Sequence, residues 1–379
     1  MATPTTGRLR RWGPSLAVTV LWLLGVVAFG QLGRVAEHGE SALTMLAGSF
    51  LAGSSPEGGG AVAFPVFTKA LGVPTPVART FGLTIQAVGM SMAVVAIVRA
   101  GRPFHRRAAA VGSLAAIVGL LVAAVALGRP DEPFWPSIVP TPWVKATFSI
   151  VLATTSLLML RQLRLHRGVD HEAELAVDPD RNQGEHRWTG RTDLALVVVA
   201  GAGGVLSSLT GTGANILVFL LLVVVAGVLP KTALPTAIMV MAAVSVVGFV
   251  VHVGLDGQFD LTRSGDRVTA VAGLPVDLPT SGGDLFGLWL AAVPVVVWGA
   301  PLGSLAASLV REHHLVRFVA LLAAVEVVTT FVLVPELWTE PALLTYLLVG
   351  LVALPVAFVA AARSGFLVGA AEHRTSRVG

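Results

Sequence analysis

The chain has 379 residues, of which 54% are apolar and 13% charged, with a mean hydropathy of +0.79. Soluble domains carry about 25% charged residues, so a soluble enzyme, a disordered tail or a nucleic-acid binder fits poorly, and the formal net charge of +4 rests on arginines between apolar runs rather than on a basic stripe. Cysteine is absent, which excludes disulfides, thiolate metal sites and cysteine nucleophiles.

A bilayer core needs about 20 apolar residues per helix. The first such run, 14–33, follows Arg8, Arg10 and Arg11, has no small-residue cleavage site, and is read as a retained helix. Region 42–72 is apolar but broken at Gly58-Gly59-Gly60. Full spans follow at 76–98, 107–128 and 143–160. After the polar segment 161–192 comes a second broken region, 194–229, interrupted at Gly211-Thr212-Gly213. Spans at 231–253, 285–310, 315–334 and 341–362 make eight full spans in all.

Orientation follows from Arg and Lys in the short loops. The N-terminal tail, 99–107, 161–192, 311–317 and the C-terminal tail are basic or Arg-bearing and are expected inside. Loops 34–40, 129–142, 255–284 and 335–340 carry mainly acids and are expected outside. Both termini are therefore cytoplasmic. This assignment forces region 42–72 to enter and leave from outside, and region 194–229 from inside. Each is a hairpin, and the two have opposite topology.

The hairpins also match in sequence. Ser54-Ser55-Pro56-Glu57-Gly58-Gly59-Gly60 lies against Ser207-Ser208-Leu209-Thr210-Gly211-Thr212-Gly213, and the segment from Gly72 to Thr80 lies against Val228 to Thr236. Each hairpin precedes three full spans. The chain divides into an N-terminal tail and extra helix (1–41), repeat 1 (42–162), a cytoplasmic linker (163–193), repeat 2 (194–334), and a C-terminal helix and tail (335–379). The fold class is an all-α polytopic membrane protein of two inverted repeats. Such repeats with broken helices point to a secondary transporter with its site at the repeat interface. A helix that restarts inside the membrane has N–H groups without partners, which hold partial positive charge and attract anions.

The Gly-rich turn Gly58-Gly59-Gly60 with Pro65, the Gly72-Val73-Pro74 step to Thr80, their counterparts at Gly211–Gly213 and Pro230–Thr236, and Gly299-Ala300-Pro301-Leu302-Gly303 running to Arg311 resemble the sulfite exporter TauE/SafE family of anion permeases. The resemblance covers about 42–334. It implies transport of sulfite, an organosulfonate or a related sulfur-containing or carboxylate anion, coupled to protons, in the cytoplasmic (bacterial inner) membrane. The chain departs from the family's pattern at Glu57, where a small or apolar residue is usual, and in a second turn poorer in glycine.

The expected substrate-binding residues are Glu57, Gly58, Gly59, Gly60, Lys69, Arg79, Thr80, Thr210, Gly211, Thr212, Gly213, Asn215 and Thr236. Glu57 has two readings: a proton carrier raised into its range by burial, or a cap on the restarting helix. Glu326 lies mid-span, as a proton relay or as a hydrogen-bonding link between helices. Lys69 and Arg79 would attract an anion or, for Arg79 as for Lys231, snorkel to the interface. The hydroxyls of Ser207, Ser208, Thr210 and Thr212 would bind oxyanions, satisfy broken backbone, or both. Thr80 and Thr236 sit where helix–helix packing is the competing role. No metal-ligand spacing and no phosphate-binding loop occurs, so no metal, cofactor or ATP hydrolysis is expected. The expected partners are a small anion, protons and the lipid bilayer, with no nucleic acid; a second copy of the chain, as a homodimer, stands among the candidates. A passive anion channel on the same scaffold and an intramembrane lipid-handling protein are the alternative functions.

Overall fold

A computed structural model describes residues 4–128, 138–165, 188, 190–259, 268–271, 274–278, 284–309 and 312–364. Parts of the 129–142, 161–192 and 255–284 loops and the end of the C-terminal tail lie outside the described residues. In chain order the helices are α1 (Pro4–Ala28), α2 (Leu32–Glu37), α3 (Gly39–Ser54), α4 (Gly60–Pro65), α5 (Thr75–Arg99), α6 (Arg106–Ala126), α7 (Thr141–Leu165), α8 (Gly190–Thr210), α9 (Ala214–Leu220), α10 (Pro230–Phe249), α11 (Leu285–Leu309), α12 (Glu312–Leu333), α13 (Glu336–Thr339) and α14 (Pro341–Arg363). The all-helical expectation holds. Its one addition is a short antiparallel pair, β1 (Val268–Val271) and β2 (Leu274–Leu278), with Val271 opposite Leu274, in the long loop before α11.

Among the described residues, eight helices are long and apolar enough to cross a bilayer: α5, α6, α7, α8, α10, α11, α12 and α14. The chain is a multi-pass membrane protein. Seven of these are expected full spans. The eighth, α8, is the first arm of the second hairpin, and it has 21 residues, enough for about 31 Å. The expected first span lies in α1, whose 25 residues include the apolar stretch Trp12–Ala28 and end before Gly30, whose φ of 64° turns the chain. It still packs on α11, where Trp12 stacks on Trp298 at 5.8 Å and the Ser15 hydroxyl donates to the Val297 carbonyl at 2.9 Å.

Both broken regions are hairpins. In the first, the chain folds back so that Gly59 lies against the Gly48 carbonyl of α3; in the second, Gly203 of α8 lies against Ala214. Each returning arm ends in a π-helical turn, Val66–Ala70 and Leu221–Val225. The caps are the same to the hydrogen bond. Leu71 N–H donates to Val66 O and Val73 N–H to Phe67 O, as Ala226 donates to Leu221 O and Val228 to Leu222 O, at 2.9 and 2.8 Å in both. Gly72 (φ 65°) and Gly227 (φ 69°) carry the left-handed residue that this cap demands. Gly72 is thus the counterpart of Gly227, one residue before the Val228 that sequence comparison set against it. Proline then starts the next helix in each case, Pro76 in the first turn of α5 and Pro230 at the head of α10.

Helix packing follows small residues, which let backbones approach closely where lipid offers no hydrophobic drive. The first arm of each hairpin packs on a helix of the other half of the chain: α3 on α11, and α8 on α6. A Cβ added at Gly53 would run into the Ala300 carbonyl, and one at Gly303 into Phe50. On the other seam, Gly119 meets Gly201 and Gly204 meets Ala116 in the same way. Among the spans α5 is the most enclosed and α14 the least, so α5 carries the centre of the molecule and α14 its rim.

Candidate functional site

The two hairpin breaks meet. A Cβ on Gly58 would come 2.8 Å from Asn215 Nδ2, 3.2 Å from Met90 Cε and 3.4 Å from Gln86 Oε1. A Cβ on Gly60 would collide with the Thr212 side chain. On the other side, a Cβ on Gly82 of α5 would lie 3.2 Å from the Gly211 Cα and carbonyl oxygen, and one on Gly211 would strike the Arg79 backbone. The residues from Ser54 to Gly60 and from Thr210 to Ile216 are buried throughout. Gly58 (φ 69°), Gly211 (φ 80°) and Gly213 (φ 142°) adopt conformations that L side chains rarely take. Glycine is needed at the tips both for that geometry and for the contact.

The second tip is internally hydrogen-bonded. The Thr210 hydroxyl lies 2.6 Å from the Thr212 carbonyl, the Gly213 amide donates to Asn215 Oδ1 at 3.3 Å, and the Ala214 amide donates to the Ser207 hydroxyl at 3.0 Å. The side chains of Thr210, Ser207 and Asn215 therefore satisfy broken backbone, while the Thr212 hydroxyl donates to Asn215 Oδ1 at 3.4 Å. Gln86 clamps this tip to α5, its Nε2 donating to Gly82 O at 2.9 Å and Gly211 O at 2.8 Å.

What remains is a set of buried polar atoms with no hydrogen-bond partner among the described residues: both Glu57 carboxylate oxygens, Gln86 Oε1, Asn215 Nδ2 and the Thr80 hydroxyl, with the hydroxyls of Ser54 and Ser208 at the ends of the two first arms. Such groups are rare in folded proteins and call for an explanation. Gln86 Oε1 and Asn215 Nδ2 converge on Gly58, next to Glu57. No side chain caps α4, whose cap position is Gly59, so Glu57 makes no capping bond there. The Ser55 hydroxyl donates to Leu51 O at 3.2 Å. Arg79 is buried and places a positive charge beside the second tip, within electrostatic reach of His252.

Three expected site residues lie elsewhere. Lys69, in the π-helical turn of the first hairpin, donates to Glu326 Oε1 of α12 at 2.5 Å and to the Thr330 hydroxyl at 2.7 Å. Ser149 of α7 donates to the same Glu326 oxygen at 2.9 Å. Lys69 is therefore not a spare charge for an anion, and Glu326 is not a lone carboxylate. Thr236 is also committed: its hydroxyl donates to Thr232 O at 2.7 Å and accepts the His105 amide at 2.9 Å, locking the loop before α6 to α10. Gly82 and Met90 at the tips went unread in the sequence. Their signal was present: Gly82, Gln86 and Met90 recur at intervals of four, one stripe of a helix.

A second ionic cluster joins the start of the first hairpin to the start of α11. Arg34 pairs with Asp284, His38 Nε2 lies 2.9 Å from Asp284 Oδ2, and the Gly287 amide donates to Asp284 Oδ1 at 2.9 Å. Burial opposes the His38 charge, but hydrogen bonds to Asp284 and Glu40 outweigh it and lift His38 to about 9. Burial likewise opposes the Asp284 charge, yet His38, Arg34 and the Gly287 amide hold its carboxyl well below the usual range. Among the described residues no group of His, Cys, Asp and Glu has the arrangement of a metal site.

Against known proteins, the model of the sulfite exporter TauE/SafE family matches residues 41–328. No curated protein and no solved structure matches the chain.

Proposed function

The chain belongs to the sulfite exporter TauE/SafE family, a family of membrane transporters and not of enzymes, and on that premise we propose that it carries a small sulfur-containing or carboxylate anion across the cytoplasmic membrane by alternating access. The anion sits where the two hairpin tips meet. The hairpins reach that point from opposite faces, and both termini are cytoplasmic, in line with the distribution of arginines.

One observation carries this reading: buried, unpartnered polar atoms of both halves, Gln86 Oε1 and Asn215 Nδ2, converge on Gly58. Asn215 and Thr80 supply donors to an oxyanion, the tip backbone at Gly58–Gly60 and Gly211–Gly213 allows close approach, and Arg79 supplies the positive field. Backbone contact between Gly82 and Gly211 closes the chain around that point, which favours an occluded carrier over an open channel. Glu57 is the better proton carrier of the two carboxylates. Its oxygens have no partner, whereas Glu326 is matched by Lys69.

The test is ligand-induced stabilisation of the purified full chain by sulfite, sulfate, thiosulfate, organosulfonates and small carboxylates. A ligand at 100 times its Kd adds about 2.7 kcal/mol to folding stability. One anion should raise Tm in the wild type and fail to do so in Asn215→Ala. If no anion acts, or if Asn215→Ala responds fully, the site does not lie at the tips.

A further inference from the structure

α7 and α14 run side by side and part company midway. At one end they are joined: Trp143 packs on Tyr346 at 5.1 Å, the Tyr346 hydroxyl lies 2.8 Å from the Thr147 hydroxyl, and Gly350 is so close to Ile150 that a Cβ there would collide. Beyond Gly350 the helices splay. Pro355 sits inside α14 in this stretch, where a proline removes one backbone hydrogen bond. The result is a groove of about 940 Å³ between the C-terminal halves of the two helices, at the upper end of the ~300–1,000 Å³ of small-molecule sites.

The groove has two chemical ends. Its walls are apolar, with Leu157 of α7 and Val352 and Val356 of α14 exposed on the outside of the bundle. Arg161 of α7 and Arg363 of α14, near the C-terminal ends of the two helices, line the same groove. Val352, Val356 and Ala360 repeat at intervals of four, so one stripe of α14 leads along the slot towards Arg363. Among the described residues neither guanidinium has a hydrogen bond or ion pair.

We propose that this groove is a binding site for one anionic phospholipid, whose phosphate is held by Arg161 and Arg363 and whose acyl chains lie in the slot toward Gly350. Two guanidiniums match a phosphate diester by planar, charge-assisted hydrogen bonds. Basic pockets between membrane helices bind such headgroups. A second copy of this chain fits less well: it would cover the apolar walls but bury two arginines without counter-charge, which is unfavourable. By the positive-inside assignment, the lipid belongs to the cytoplasmic leaflet. The site is separate from the hairpin tips, so its test does not depend on what is transported.

The experiment is native mass spectrometry of the purified full chain, titrated with phosphatidylglycerol or with phosphatidylcholine of identical acyl chains. Both lipids carry the phosphate but only phosphatidylglycerol is net anionic, so the wild type should retain it about 30-fold more strongly, on the basis of roughly 1 kcal/mol of attraction to net negative charge for each arginine. Arg161→Gln with Arg363→Gln should erase that preference. Val356→Trp, which narrows the slot and leaves both arginines, should weaken retention of either lipid. Equal retention of the two lipids by the wild type overturns the proposal, and this comparison needs no variant to fold. So does an undiminished preference in the double variant, displacement of phosphatidylglycerol by equimolar inorganic phosphate, or a lipid-free dimer as the species that forms.

Discussion

Lys69 and Glu326 are 257 positions apart, and the Lys69 ammonium donates to the Glu326 carboxylate at 2.5 Å inside the bundle. Both side chains are buried, at 2% and 1% exposure, so the pair is shielded from water and salt. It ties the returning arm of the first hairpin to α12. Removing one partner leaves an uncompensated buried charge, at a loss of about 3–5 kcal/mol, whereas replacing both with apolar groups is often neutral or stabilising. Lys69→Met and Glu326→Leu should each lower Tm sharply, and the double variant should recover most of the loss. Additive losses in thermal scans of the purified variants would show that the two do not act as a pair.

Glu57 separates coupling from binding. Neither Glu57 oxygen makes a hydrogen bond of full geometry, so Glu57→Gln gives up at most a weak contact with Ser55 and the backbone and changes little in volume. Flux of the substrate anion in proteoliposomes should persist, and its response to an imposed pH gradient should vanish. A variant with the wild-type response would move the coupling role away from Glu57.

The tips should be intolerant of a single methyl group. Gly211→Ala meets both a φ of 80° and the Arg79 backbone. The left-handed conformation costs about 1–2 kcal/mol, and overpacking adds roughly 1–3 kcal/mol. Gly101→Ala has a similar φ of 63° with open space around it, and should show only the first loss. Equal Tm shifts in the two variants would mean that the Gly211 contact is loose.

The cluster at the head of α11 predicts a pH dependence of stability. His38 is lifted from 6.5 to about 9 by Asp284 and Glu40, against the opposing effect of burial. A raised value in the folded state gives stability that is fully present below about pH 6.5 and lost as the pH climbs through about 9. Wild-type Tm should fall across that window. In His38→Gln the fall should flatten, with Arg34 and Asp284 left paired. A variant with an unchanged slope would place the titrating group elsewhere.

The membrane spans were readable because hydropathy is a local property. The helix ends expected at 76–98, 231–253 and 285–310 lie close to those of α5, of α10 with the π-helical turn Val250–Leu255 that continues it, and of α11. The glycine clusters marked the breaks because a left-handed residue leaves few alternatives. Partnerships were not readable. Glu326 looked solitary because its counter-ion comes from the other half of the chain, and Thr236 looked like a site residue because its acceptor role toward His105 is a tertiary fact. The one-residue offset between Gly72 and Gly227 was hidden for a related reason: identity matching favours similar letters, whereas the cap is defined by backbone bonds.

The exchange of seams, α3 on α11 and α8 on α6, bears on what the smallest self-sufficient unit is. A half-length chain ending after α7 would expose the small-residue face of α3 with nothing to close it, and a half beginning at α8 would be left with the same deficit. Neither should persist alone in a membrane, while the two produced together from separate messages should find each other and reassemble. The two halves are thus interlocked lodgers rather than neighbouring domains, and any movement of one half carries the other's hairpin with it.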